Sequence, residues 1–229
     1  SRMTADQRKR AYRTLREVCP HGPYRREWLH WWVKTYEGIH IPNVKVCADH
    51  DAPFTAFADA FFGESSKGAA NTSVYLCLGS RLFGSKTFMA GTLARARMIL
   101  KRAEIFILGG SKDQTAQMRE YIKGDGDHMK NRGWNYKRAP RHLLKDITND
   151  TVKLTNGGKV TALAASEKAT RSKHGTDLIG DELDEMEWDV FKSALGQTYE
   201  GGRGINPLAF LASTWQNPDG SMTKAMELA

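Results

Sequence analysis

From residue 74 onward, short apolar runs alternate with longer segments of helical periodicity. The apolar runs are SVYLCL (73–78), EIFILGG (104–110), TDLIGDE (176–182) and PLAFLAST (207–214). The helical segments are KTFMAGTLARARMILKRA (86–103), KDQTAQMREYIKG (112–124) and EWDVFKSALGQ (187–197). Strands that are joined through helices form a largely parallel sheet with helices on both faces. The alternation therefore predicts an α/β fold.

Other local patterns complete this outline. Ser111 and Gln114 have the spacing of a capping box at a helix start. The segment DTVKLTNGGKVTALAAS (150–166) contains two β runs around an Asn-Gly turn signal, which predicts a hairpin-like pair. Residues 39–73 look irregular apart from a short helix in APFTAFADAFFG (52–63). Residues 123–140 have no periodicity and are expected to form a surface loop or lid.

The N-terminal part is predicted to be a helical appendage, residues 1–38, before a main domain of residues 39–229. Residues 1–3 look like a remnant of cloning. Trp28, Trp31, Trp32 and Tyr36 follow helical spacing and predict one aromatic face. Packing of this face against the main domain is the favoured interpretation, and stacking on nucleic-acid bases is the alternative.

Composition limits the class of protein. The 229 residues carry a formal net charge of +8, with a pI of about 9.4. No apolar run reaches 18 residues, so no membrane partner is expected. Three cysteines are a sparse, odd set that suits free thiols in a reducing compartment. The positive charge favours a polyanionic partner such as nucleic acid.

The segment GSRLFGSKT (79–87) nearly matches a phosphate-binding loop, which has the pattern G-x-x-x-x-G-K-[ST]. Gly79 and Gly84 have the expected separation, but Ser85 occupies the usual lysine position. Lys86 and Thr87 follow one place late. The preceding apolar strand and the following helix are the context in which such a loop binds polyphosphate through its backbone N–H groups.

Two registers can place this loop. If the Lys-Thr pair is aligned, Ser85 replaces the second glycine and would need a left-handed backbone, at about 1–3 kcal/mol. If the glycines are aligned, the loop contains one extra residue and a slightly wider turn. We favour a working loop that absorbs the extra residue. In both registers Lys86 meets the phosphates, Thr87 contacts Mg²⁺, and Arg81 offers a second cation.

An apolar strand that ends in Asp181-Glu182 supplies the second half of a nucleotide hydrolase. The aspartate helps to hold Mg²⁺, and the glutamate polarises the attacking water. Asp184, Glu185 and Glu187 follow closely and are expected to form only a solvated acidic face. The loop and the Asp-Glu pair, each at a strand end and in this order, predict a nucleoside-triphosphatase.

These motifs together resemble the large terminase subunits that package DNA into tailed-phage capsids. GSRLFGSKT is similar to the family's Ser-Arg-x-x-Gly-Lys-Thr loop (Walker A), although it is one residue longer. TDLIGDELDEM is similar to its Asp-Glu strand (Walker B), and LASTWQNPDGSM to its coupling motif. IPNVKVCADHDAPFTAFADAFFGESS resembles the segment on the adenine side, and EIFILGGSKDQTAQMREYI the next strand–helix unit. The resemblance covers about 39–229.

The resemblance implies a RecA-like, additional-strand P-loop ATPase that uses ATP and Mg²⁺. Asp181 and Thr87 would hold the metal, and Glu182 would activate water. Ser213 and Thr214 would sense the γ-phosphate and pass its loss to the DNA-gripping surface. Arg171, or else Lys173, would act as the arginine finger. The nucleotide would contact the following loop residues: Gly79, Ser80, Arg81, Gly84, Ser85, Lys86 and Thr87.

The resemblance further implies sequence-independent binding of double-stranded DNA, a homo-oligomeric ring on a portal protein, a small terminase subunit as partner, and action in the host cytoplasm. The family's nuclease domain lies C-terminal to its ATPase, and no suitable spread of carboxylates for two metals occurs here, so no nuclease activity is expected. The alternatives are a helicase-type DNA-dependent ATPase, a P-loop kinase, and a non-catalytic basic nucleic-acid-binding module.

Overall fold

The computed structural model describes most of the main domain and a short part of the N-terminal region. The described segments are 26–45, 47–64, 74–79, 85–123, 143–148, 150–163, 174–196, 205–214 and 216–227, with isolated positions elsewhere. Within them, no helix has the length and apolar character needed to cross a membrane. The described residues form one sheet with helices on both faces.

The sheet has seven strands in the described segments, and their spatial order is β1-β7-β6-β2-β5-β4-β3. In this spatial order, the first five strands (β1, β7, β6, β2 and β5) are parallel to their neighbours. Strands β4 and β3 continue the sheet beyond β5 as antiparallel strands. The strands are β1 (Val74–Leu78), β2 (Glu104–Gly109), β3 (Leu144–Ile147), β4 (Thr151–Leu154), β5 (Lys159–Ala162), β6 (Asp177–Asp181) and β7 (Leu208–Ser213). The predicted α/β class with a mostly parallel sheet is confirmed.

The helices connect or flank these strands. They are α1 (Arg26–Trp32), α2 (Pro53–Phe62), α3 (Lys86–Ala96), α4 (Lys112–Lys123), α5 (Trp188–Leu195) and α6 (Ser221–Glu227). Helices α1 and α3 each continue into one π-helical turn, Val33–Glu37 and Arg97–Lys101. Predicted helices therefore occur at all the positions that the alternating pattern indicated.

Two hydrophobic clusters cover the two faces of the sheet. In β2, Ile105 and Ile107 point into the larger cluster with α1 to α4, and Phe106 and Leu108 into the smaller one with α5 and α6. Successive strand residues face opposite sides. A strand that is buried on both faces must therefore be apolar throughout, as β2 is.

The local predictions in this region hold, and one strand was not predicted. Gln114 N–H donates to Ser111 Oγ at 3.2 Å, and Ser111 N–H donates to Gln114 Oε1 at 2.8 Å, which is the reciprocal capping box. Strands β4 and β5 form the expected antiparallel hairpin. Strand β3 carries LKDI, whose polar residues show no clear strand pattern, and it pairs with β4 at the sheet edge. Most of 123–140 lies outside the described residues.

Helix α1 packs into the larger cluster. Trp32 and Tyr36 are buried and stack at 4.8 Å between ring centroids, and Trp28 packs against the same cluster. Trp31 is 45% exposed, so it does not belong to the buried aromatic face. Packing is thus the role of this face, whose buried side also includes Leu29 and Val33. The division of the chain at residue 38 stays a prediction.

Two buried arginines on α3 and its π-helical turn attach other elements to this helix. Arg95 Nε donates to Glu37 Oε2 at 2.9 Å, which fixes the end of the N-terminal helix. Arg97 donates to both carboxylate oxygens of Asp177, at 2.5 and 2.8 Å, and also to the carbonyls of Phe61 and Asn206. Buried charges need such complete pairing. These hydrogen bonds hold helix α3 against the end of the N-terminal helix, α2 and β6.

Candidate functional site

The carboxyl ends of β1, β7 and β6 lie side by side. Leu78 pairs with Ser213, and Asp181 pairs with Ala212, so β7 separates the glycine-loop strand from the Asp-Glu strand. Residues that follow these strand ends meet at one edge of the sheet, where open α/β sheets bind ligands. The described ends of the loop (Gly79 and Ser85), the Asp-Glu pair and the coupling motif are brought together there.

Lys86 begins α3 and is only 5% exposed. Its Nζ donates to the carbonyl of Gly79 at 3.0 Å and to Thr214 Oγ1 at 3.2 Å. The ammonium group thus bonds both to the start of the loop and to the residue after β7. These oxygens help to satisfy a charge that is enclosed by protein.

Ser85 precedes Lys86 and has a left-handed backbone, with φ 44° and ψ 27°. Non-glycine residues adopt this region at an energetic penalty. This is the conformation required by the register in which Ser85 takes the place of glycine before the Lys-Thr pair. Ser80, Arg81 and Gly84 lie outside the described residues, so the width of the loop stays a prediction.

Thr87 and Asp181 are joined directly. Thr87 Oγ1 donates to Asp181 Oδ2 at 2.5 Å, and Asp181 is 3% exposed. The other carboxylate oxygen, Oδ1, is buried and has no hydrogen-bond partner among the described residues. A buried oxygen of this kind is costly unless a ligand completes it. A hydroxyl beside an incompletely bonded carboxylate is a set of hard oxygen donors that suits Mg²⁺.

Burial changes the acid–base properties of this corner. It raises the pKa of Asp181, and the carboxylate of Glu182 raises it further, whereas the Thr87 hydrogen bond, the nearby backbone N–H of Glu182 and the Lys86 ammonium act in the opposite direction. Burial likewise raises the pKa of the Cys77 thiol, on β1, to about 11, although Lys86 lowers it. The low-dielectric surroundings therefore disfavour negative charge before any cation is bound.

Glu182 follows Asp181 in a left-handed conformation, with φ 52° and ψ 53°. Its side chain is half-buried. The turn ends β6 abruptly and leads into a single 3-10 turn, Leu183–Glu185. Left-handed non-glycine residues are concentrated at functional sites, where the surrounding structure holds them in place.

The two residues of the coupling motif occupy different environments. Ser213 is fully buried; its Oγ donates to the Thr214 carbonyl and accepts from Asp184 N–H at 3.1 Å. Thr214 contacts Lys86, as described above. The Thr214 side chain therefore contacts the loop side of the site, whereas the Ser213 side chain faces the turn after Asp181-Glu182 and only its carbonyl, which accepts from Gly79 N–H at 3.4 Å, meets the start of the loop among the described contacts.

Asp184 does not belong to a solvated acidic face, which corrects the expectation from sequence. It is half-buried, and Oδ2 accepts from the N–H groups of Gln216 and Asn217, each at 2.9 Å, while Oδ1 accepts from Met222 N–H at 3.2 Å. Burial alone would raise the pKa of Asp184, but these three N–H groups together lower it. Glu185 and Glu187 are exposed as expected, although Glu185 accepts from Gln114 Nε2 at 2.6 Å.

The residues Asn217-Pro218-Asp219-Gly220 signal a turn in the sequence, but they do not indicate that the turn contacts Asp184. This turn returns to Asp184 so closely that a Cβ atom on Gly220 would lie 2.0 Å from Asp184 Oδ1. The candidate fingers Arg171 and Lys173 lie outside the described residues, and their roles stay predictions.

The strand order and the site define the class of fold. It is a RecA-like P-loop fold in which β7 is the additional strand between the loop strand and the Asp-Glu strand. The large terminase of bacteriophage HK97 has a similar structure, with a TM-score of 0.61 and 16% sequence identity. The similarity covers 90% of this chain and 41% of the HK97 chain. The predicted resemblance to large terminases is confirmed at the level of the fold.

The large terminase of the thermophilic bacteriophage D6E is also similar, in complexes with ATP-γ-S and with ADP. The TM-scores are 0.42 and 0.44, at 12% and 13% identity, over 69% of this chain and 37% of each D6E chain. No protein-family model and no curated protein matches the sequence. The chain therefore spans less than half the length of the solved terminases that it resembles.

Proposed function

We propose that this chain is the ATP-hydrolysing motor domain of a phage DNA-packaging machine, which drives double-stranded DNA into a procapsid. The observation that carries the proposal is the meeting of Lys86, Thr87 and Asp181 at one sheet edge, with Asp181 Oδ1 buried and incompletely bonded. A cation, a hydroxyl and a carboxylate in this arrangement suit a magnesium-bound polyphosphate. The fold shared with the HK97 large terminase supports the motor assignment.

In this proposal, Lys86 binds the β- and γ-phosphates of ATP. Two of its partners, the Gly79 carbonyl and Thr214 Oγ1, are neutral oxygens. Binding of ATP would draw the ammonium from at least one of them, because charge-assisted bonds to phosphate are stronger than bonds to neutral oxygens. Thr214 would then report the arrival and the loss of the γ-phosphate. The backbone N–H groups of the loop, 79–85, would complete the phosphate site.

Mg²⁺ fits the residues that are present. Thr87 and Asp181 would hold it, and when bound it would neutralise charge on the phosphates. Glu182 would orient the attacking water, since it directly follows Asp181 and its side chain is half-buried at the same strand end. Arg171, or else Lys173, would stabilise the charge that develops during transfer. Duplex DNA, the portal, the small subunit and a ring of copies belong to the same proposal.

Substitution of Lys86 tests the assignment. Lys86→Ala should abolish ATP binding or hydrolysis, whereas Lys192→Ala, at a half-exposed lysine on α5, should change neither. Arg81→Ala should have a smaller effect than Lys86→Ala. The measurements are magnesium-dependent phosphate release and binding of a fluorescent ATP analogue, with melting temperature as the control for folding.

The opposite outcomes are informative. If Lys86→Ala and Arg81→Ala both leave ATP handling unchanged, the loop is not a nucleotide site and the proposal fails. If Arg81→Ala is the more severe, the phosphate-binding charge belongs to Arg81. A non-catalytic nucleic-acid-binding module would show no magnesium-dependent phosphate release in any variant.

A further inference from the structure

The carboxylate of Asp184 connects two parts of the site that are remote in sequence. One is the turn after Glu182, and the other is the segment 214–222, which we call the return segment. Both oxygens of Asp184 are used, since Oδ2 accepts two N–H groups, Gln216 and Asn217, and Oδ1 accepts one, Met222. An ionised carboxylate that accepts several backbone N–H bonds makes a strong connection.

Two further bonds strengthen the same junction. Asp184 N–H donates to Ser213 Oγ at 3.1 Å, just before the return segment begins. Ser221 Oγ donates to the carbonyl of Met186 at 2.6 Å, in a buried position near its other end. The turn and the return segment are therefore attached at both ends and in the middle.

Little free space exists at this junction. A Cβ atom on Gly220 would lie 2.0 Å from Asp184 Oδ1 and 2.9 Å from its Cγ. The turn itself is tight, because Glu185 N–H donates to the Glu182 carbonyl at 3.0 Å. Closely packed structure transmits displacement rather than absorbing it.

Each side of the junction leads to a different part of the nucleotide site. Thr214, which contacts Lys86, lies two residues before Gln216. Glu182, in its left-handed conformation, lies two residues before Asp184. Through its described hydrogen bonds, Asp184 thus connects the Glu182 turn with the residues that follow Thr214 and, through Met222 N–H, with helix α6.

We propose that Asp184 is a positioning residue that makes the return segment and the Glu182 turn move as one unit. Loss of the γ-phosphate at Lys86 and Thr214 is then coupled to the placement of Glu182 and of helix α6. This inference rests on the proposed ATPase. It adds that Asp184, which touches neither nucleotide nor metal, sets the turnover rate through Glu182.

The test is Asp184→Asn, with Asp189→Asn as the matched control. An asparagine has one acceptor oxygen, so it cannot serve Gln216, Asn217 and Met222 together. Asp189 is an exposed residue on α5 that forms a surface ion pair with Lys192. Coupling of this kind predicts a fall in kcat of roughly 5- to 30-fold in Asp184→Asn, with KM and ATP-analogue affinity within about twofold of the parent. Asp189→Asn should match the parent in all three.

Gly220→Ala provides an independent variant, because it displaces the Asp184 carboxylate without changing its charge. It should lower kcat in the same way. Hydrogen exchange should show loss of protection at the amides of Gln216, Asn217 and Met222 in both variants. In the parent, these amides should respond to binding of ATP-γ-S, and in Asp184→Asn they should not.

The results distinguish a failure of the positioning role of Asp184 from a failure of the proposed ATPase function. If Asp184→Asn loses amide protection but keeps the parental kcat, the residue only stabilises the fold, and the inference is overturned. If KM rises and kcat is unchanged, Asp184 supports binding and the inference is again wrong. Failure of the ATPase proposal would instead appear as a Lys86→Ala variant that hydrolyses ATP at the parental rate.

Discussion

The hydroxyl of Thr87 donates a hydrogen bond to Asp181 Oδ2 at 2.5 Å, across 94 residues of chain. This bond joins the helix after the glycine loop to the end of the Asp-Glu strand. It uses one oxygen of a buried carboxylate, and the described residues provide no partner for the other. Asp181 Oδ1 is thus a buried acceptor at the point where a cation is proposed to bind, and such a cation would complete it.

Asp181→Asn should stabilise the metal-free, nucleotide-free protein while it stops hydrolysis. Burial raises the pKa of Asp181, so the folded state binds a proton more readily than the unfolded state does. Stability contributed by this group is thus lost as pH rises from the usual carboxylate range through the raised pKa. Asparagine removes this effect and can still accept from Thr87.

The measurement is thermal unfolding in EDTA from pH 4 to pH 8. At pH 8 the variant should melt higher, by roughly 2–4 °C if the gain is about 1 kcal/mol. The difference should shrink as the pH falls through the raised pKa of Asp181, because the parental carboxyl then takes up a proton. A parent that melts higher than Asp181→Asn at pH 8 would contradict the prediction.

Ser85→Gly should stabilise the protein and preserve ATP hydrolysis. Ser85 has φ 44° and forms no side-chain cap bond to α3, so the substitution relieves backbone strain without loss of a contact there. The expected gain in unfolding free energy is about 1 kcal/mol. Ser85→Ala is the control, because alanine pays the same backbone penalty. If both variants melt at the same temperature, the left-handed conformation of Ser85 is not a source of strain.

Arg171→Ala should lower kcat more than nucleotide affinity, because a finger acts on charge in the transition state. Glu182→Gln should bind ATP but not turn over. If Arg171 acts on a neighbouring subunit, a mixture of the two inactive variants should regain activity, since the glutamine variant keeps its own Arg171. Affinity that falls while kcat stays constant would make Arg171 a binding residue, and Lys173 would be the next candidate finger.

Duplex DNA should bind without sequence preference and with strong salt dependence. The formal net charge is +8, and no base-reading motif is evident in the sequence. Affinity should fall by at least about tenfold between 50 and 200 mM salt, because phosphate contacts release counterions. Fluorescence anisotropy with two unrelated duplexes of equal length would measure both properties. A salt-independent affinity, or a clear preference for one duplex, would rule out this mode of binding.

Cys77 should react slowly with iodoacetamide at pH 8. Burial raises the pKa of its thiol to about 11, so about 0.1% of it is thiolate at that pH. Cys47 is exposed and serves as the internal control in the same sample. Peptide mass spectrometry should show Cys47 modified at least about tenfold faster, and Cys77 accelerating toward pH 10. Equal rates for the two cysteines would contradict the assigned environment of Cys77.

Much of the secondary structure was determined by sequence alone, because its causes are local. Apolar runs separated by helical periodicity were sufficient to predict β1, β2, β6 and β7 as strands. The expectation that β1 is buried was wrong, because β1 lies at the edge of the described sheet and both of its ends are exposed. The Ser111–Gln114 capping box and the hairpin of β4 and β5 each depend on residues within a few positions of one another. Backbone preference and capping act over such distances, and the pattern could therefore be read directly.

Only the tertiary structure decided the features that depend on contacts between remote residues. Strand β3 forms because β4 offers it an edge, and Trp31 is exposed because α1 packs through the side that carries Leu29 and Trp32. Asp184 was indistinguishable from its acidic neighbours until the return segment brought three N–H groups to it. The sequence does not distinguish an aspartate that is solvated by water from one that accepts hydrogen bonds inside the protein. The role of the carboxylate is set by the donors that the fold places around it.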